Sequence, residues 1–133
     1  MSRSGYSENI DNWDMIKWRG VIASATRGKR GQQFFRDIVS ALDAMPVKEL
    51  IYGDLQTPDG GVCALGCLAK HKGISVEKMD TENYEALGKT FNIAPGLAQE
   101  VMFMNDEYGP TPQRRWQIVR DWAEKQIKKV PPQ

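Results

Sequence analysis

Residues 49–65 read ELIYGDLQTPDGGVCAL, and their periodicity decides the fold class. Two short apolar runs flank Thr57-Pro58-Asp59-Gly60-Gly61, the strongest turn signal in the chain. The pattern predicts a short β-hairpin, with a second arm as short as Gly61 and Val62 before a helix begins near Cys63. Everything on either side follows a helical period instead. The expected fold is therefore mainly α, a single compact domain of about six helices with one short β-hairpin.

Upstream, Asp11 or Asn12 can cap a helix over 13–26, whose Met15, Trp18, Ile22 and Ala25 share one face. Gly28 and Gly31 then bracket a basic turn, and a second helix over 32–44 aligns Phe34, Ile38, Leu42 and Met45 before Pro46 stops it. Downstream, a helix over 63–72 ends at Gly73, a natural C′ residue. Another follows Thr81 with Tyr84, Leu87 and Phe91 in register, and Pro95 opens a fifth carrying Leu97, Val101 and Met104. Thr111 and Pro112 form a cap-and-proline start for the last helix, whose inward stripe is Trp116, Val119, Ala123 and Ile127. Residues 1–10 and 130–133 read as loose termini.

At 133 residues the chain suits one domain rather than two. Its 41% hydrophobic content and four tryptophans supply a core without disulfides or metal. No 18-residue apolar run exists, so no membrane span is expected, and MSRSGYSENID at the start lacks the apolar centre of a signal peptide. Two cysteines, four apart, fit reduced thiols in a cytoplasmic setting. A net charge of +1 provides no global attraction for nucleic acid or anionic lipid. The charge is uneven, however. Residues 75–107 carry seven acids against two lysines, and this run is expected to stay exposed.

The candidate chemistry is thin. Cys63, in the first turn of its helix, is a weak candidate nucleophile for a cysteine-dependent hydrolase. The only histidine, His71, lies about 12 Å further along the same helix and cannot serve it. A buried packing role fits Cys63 better. Cys63, Cys67 and His71 span too far for one tetrahedral ion, and Asn105, Asp106 and Glu107 lack the alternation of a calcium loop, so no metal is expected. Asn105 and Asp106 read more simply as turn residues closing a helix, although either can approach a thiol through the fold. No nucleotide-binding motif appears and no cofactor is expected. An enzyme is the minority reading.

The basic stretch Trp18–Arg36 remains, with five arginines or lysines and no acid. Arg27, Lys29 and Arg30 sit among glycines, and Lys17, Arg19 and Arg36 surround them. Three uses are open: a solvated helix connection, a protein-binding surface, or a grip on nucleic acid. Trp13, Trp18 and Phe34 nearby suit base stacking, although aromatic residues at helical spacing more often belong to a core.

The segments SRSGYSENIDNWDMIKWRG, RGKRGQQFFRDIVSALDAMP, VCALGCLAK and VMFMNDEYG together resemble a group of small bacteriophage and prophage proteins of unknown function, along nearly the whole chain. CALGCL followed by MND also resembles, more loosely, a broader phage and bacterial domain family of unknown function. The resemblance implies a mobile-element context and residence in the bacterial host's cytoplasm, and adds no chemistry. It makes a host protein the expected partner of a non-enzymatic interaction module, one that interferes with a host defence or regulatory complex. Nucleic acid, gripped by the basic turn, is the alternative.

Overall fold

The structure, a computed structural model, describes residues 12–128, with side chains from residue 15 onward. The loose termini expected at 1–10 and 130–133, and the stacking role for the Trp13 side chain, lie outside the described residues. Six helices follow one another among the described residues: α1 (Asn12–Arg27), α2 (Lys29–Asp43), α3 (Ala64–Lys72), α4 (Tyr84–Phe91), α5 (Pro95–Glu107) and α6 (Pro112–Gln126). Their boundaries carry the expected chemistry. Gly73 ends α3 in the left-handed region at φ 72°, Pro95 opens α5, and the Thr111 hydroxyl accepts the Arg114 N–H at the start of α6.

Two helices organise the core. α2 packs on α1, α3 and α6, while α5 packs on α1, α3, α4 and α6. The α2 stripe buries Phe34, Phe35, Ile38 and Leu42, each such side chain contributing roughly 1.5–3 kcal/mol. Phe35 meets Phe34 and Trp122 edge-on, with ring centroids 5.3 and 5.4 Å away. Leu65 and Leu68 of α3, Leu87 of α4, Leu97 and Val101 of α5 and Val119 of α6 complete the interior. The first helix differs: none of its described residues is buried. Met15, Trp18, Ile22 and Ala25 are only half-buried, with Trp18 and Ile22 resting against Gly96 of α5.

The expected β-hairpin is absent. No strand forms among the described residues, and a lone antiparallel bridge joins Gln56 to Val62. The turn itself is present, closed by the Thr57 N–H on the Gly61 carbonyl (2.9 Å) and the Gly60 N–H on the Thr57 carbonyl (3.0 Å). The Cys63 N–H still donates to the Leu55 carbonyl across the turn, but no ladder extends past the bridge, because α3 begins at Ala64 and the Leu50 N–H donates to Pro112 instead of to the facing arm. Buried Arg115 of α6 then donates to the Leu50 carbonyl (2.6 Å) and the Gly109 carbonyl (3.1 Å), beneath the Tyr52 ring. The 44–63 connection is thus pinned as irregular chain.

The basic turn also differs from expectation. Only Gly28 separates α1 from α2, so Lys29 and Arg30 occupy the first turn of a helix. Gly31 is not a turn residue. A Cβ there would stand 1.9 Å from the Ala25 carbonyl oxygen, so its missing side chain lets α2 press against the end of α1.

Candidate functional site

The α1–α2 corner places five of the six candidate cations around one ridge. Along one flank of α1 runs a groove of about 790 Å³. Lys17, Lys29 and Arg30 stand around it, Val21, Ala25 and Ile93 contribute its apolar lining, and among the described residues no acid lines it. On the opposite flank, Arg19 and Arg27 border a second cleft together with Trp18, Ile22, Lys125 and Glu100. Arg36 is separate: it lies on α2 outside both clefts and donates to Gln33.

Local electrostatics distinguish these cations. Arg27 closes α1, where a positive charge suits the helix dipole, and Lys128 donates to its carbonyl at 2.9 Å. Lys29 and Arg30 sit at the opposite pole. The first turn of α2 holds no acid, and its N-cap, Gly28, offers no side-chain acceptor, so two cations stand where the dipole disfavours them. Among the described residues Arg30 reaches the Asn92 amide oxygen, at 3.4 Å. A favourable placement at a helix C-terminus therefore applies to Arg27 and not to Lys29 or Arg30.

The surface also carries apolar side chains. Ile16 is 58% exposed and Val21 is 54% exposed. Lys125, on the far side of the chain in sequence, was not recognisable as part of this region; only its place at the end of α6 brings it to the cleft. Glu100 departs from the expected exposure of the acidic run. It is buried at the α1–α5 side, 8% exposed.

The cysteine region is a structural joint. Cys63 is fully buried and its sulfur accepts the Gly66 N–H at 3.5 Å, so it caps α3. Burial first, and the Asp106 charge as a minor addition, push its thiol up to about 12. Burial likewise pushes Cys67 up to about 11, against the opposing influence of Lys70 and Lys48. Neither thiol offers a thiolate near neutral pH, which opposes the nucleophile reading. Gly66 completes the joint, since a Cβ there would stand 1.8 Å from the Leu55 carbonyl oxygen.

Asn105 is not the turn residue its position suggested. It lies inside α5, fully buried. Its Oδ1 accepts the Ala64 N–H (3.0 Å), and its Nδ2 donates to the Ile51 carbonyl (2.9 Å) and to Asp106 Oδ1 (2.8 Å). One amide therefore ties α5 to the start of α3 and to the irregular connection. Among the described residues, no group of three histidine, cysteine, aspartate or glutamate side chains is placed to hold a metal ion. No helix among them is long and apolar enough to cross a membrane.

No family model matches the chain, and no curated protein or solved structure matches it. The α1–α2 ridge is consequently assigned from its own geometry.

Proposed function

We propose that this chain is a non-enzymatic interaction module, a phage or prophage accessory protein of the bacterial cytoplasm, whose α1–α2 ridge binds a host protein. Interference with a host defence or regulatory complex is the role that fits this context. The observation that carries the reading is the state of α1: a helix with no buried side chain among its described residues, exposed Ile16 and Val21, and cations along both flanks. A solvated connection accounts for cations but not for exposed aliphatic side chains beside them. Nucleic acid is the second reading, favoured by the five cations gathered at the corner.

Immobilised protein exposed to nuclease-treated host lysate, with mass spectrometry of what is retained, tests the reading. The wild type and an Arg36→Glu control should retain the same protein. The triple variant Lys17→Glu, Lys29→Glu, Arg30→Glu should lose it while keeping the wild-type circular dichroism spectrum. Equal retention by the folded triple variant would remove the ridge from consideration. Retention seen only from lysate left without nuclease would favour nucleic acid.

A further inference from the structure

We infer that the Lys17–Lys29–Arg30 groove seats an amphipathic helix of a partner protein, apolar on its buried face and acidic along its edges. This rests on the ridge reading above and names the chemistry of its occupant. Charge supplies the first argument: Lys29 and Arg30 stand beside the groove, and no acid among the described residues lines it. An acidic edge on the occupant would meet them, and it would also relieve the unfavourable placement of Lys29 and Arg30 in the first turn of α2. The lining supplies the second. Val21, Ala25, Ile93 and Ala94 are apolar, which suits a buried leucine or isoleucine face.

Gly20 supplies the third argument. It stands inside α1, where glycine costs a helix about 1 kcal/mol relative to alanine. At Gly31 the fold needs the missing side chain; at Gly20 it does not, because a Cβ built there meets nothing within 4 Å. The empty position opens onto the groove, where a second helix backbone can approach closely. The α1 residues that line the groove run from Lys17 to Ala25. At 1.5 Å per residue that is roughly 12 Å, or a little over two turns of an occupant helix.

The probe is a fluorescein-labelled 14-residue peptide with leucines at i, i+3, i+4, i+7 and i+11 and glutamates on the flanking positions. Its comparators are a peptide of the same composition with the leucines scattered around the helix, a 14-residue polyglutamate, and a labelled 14-base-pair DNA duplex. Fluorescence anisotropy against the full chain should show the amphipathic peptide binding at least tenfold more tightly than each comparator. Gly20→Leu, which adds a side chain into open space, and Lys29→Glu should each weaken binding at least tenfold, with Arg36→Glu unchanged. Equal binding of the scattered peptide or polyglutamate, tighter binding of the duplex, or unchanged binding by Gly20→Leu would overturn the inference. So would a concentration-dependent dimer of the wild type that Gly20→Leu abolishes, since the occupant would then be a second copy of this chain. If the peptide fails while the triple charge reversal still loses its lysate partner, the ridge reading stands and this occupant is wrong.

Discussion

Replacing Asn105 by alanine should be among the most damaging single changes in this protein. The substitution removes the acceptor of the Ala64 N–H and the donor to the Ile51 carbonyl, at 3.0 and 2.9 Å. Ala64 is fully buried at the first position of α3, and its N–H has no earlier turn of helix to supply another acceptor. The buried Ala64 N–H left without a partner costs about 1–3 kcal/mol, and the partly buried Ile51 carbonyl together with the space vacated by the amide brings the total to roughly 3–5 kcal/mol. That is a large share of the ~7–20 kcal/mol expected for a domain of this size. Urea denaturation followed by tryptophan fluorescence should report the loss, and the melting temperature should fall by more than about 10 °C. Asp106→Asn is the control, because Asp106 accepts only the third bond of the Asn105 amide and is not itself buried. Its cost should stay below about 1 kcal/mol. A loss under ~1 kcal/mol for Asn105→Ala, or equal losses for the two variants, would refute the assignment of Asn105 as the joint between α5, α3 and the connection.

Three further outcomes follow from the same geometry. Cys63 and Cys67, with thiols pushed up to about 12 and about 11, should react with Ellman's reagent at pH 8 far more slowly in the native protein than in urea; fast native labelling of Cys63 would contradict its burial. Asp43 has its pKa lowered, chiefly by the Arg120 hydrogen bonds, so its contribution is present above the ordinary 3.8 and fades as pH falls through the lowered folded value. Because the Asp43 side chain is 46% exposed, solvent screening limits the Asp43→Asn cost to at most ~1 kcal/mol at pH 7, and the gap from wild type should close in acid; a gap that widens in acid would reverse the sign of the argument. Lys29→Glu replaces a cation in the first turn of α2 by an anion, so it should raise the melting temperature slightly while weakening partner binding; a lowered melting temperature would mean that Lys29 supports the fold.

The helices were legible where local chemistry and core burial agree. Phe34, Ile38 and Leu42 form a stripe that the structure buries, and Pro95, Thr111 and Pro112 mark starts that tertiary contacts do not move. The hairpin was not legible as an error, because a turn is a local property whereas a ladder needs free partners. Thr57 and Gly61 do close the turn, yet Pro112 takes the Leu50 N–H and Arg115 takes its carbonyl, both from some sixty residues downstream. Asn105 posed the same difficulty in reverse. Near a helix end an asparagine reads as a turn former, and only the folded chain brings it to Ala64 and Ile51, 41 and 54 residues away. The basic surface was visible as composition but not as shape: α1 divides its cations between two clefts, and Lys125 joins one of them from the last helix.

Glycine shows most clearly what coordinates add. In sequence Gly20, Gly31 and Gly66 are alike, each lying within or beside an amphipathic run. In the fold, a Cβ at Gly31 would strike the Ala25 carbonyl and one at Gly66 the Leu55 carbonyl, so both glycines are required by packing within the chain. A Cβ at Gly20 would meet no atom within 4 Å. The first two are explained by what presses on them. The third weakens its helix without any internal neighbour to justify it, beside three cations, with Lys29 and Arg30 where α2 disfavours positive charge. Both departures from local stability face the same groove, and a partner bringing an apolar face and negative charge there would account for both.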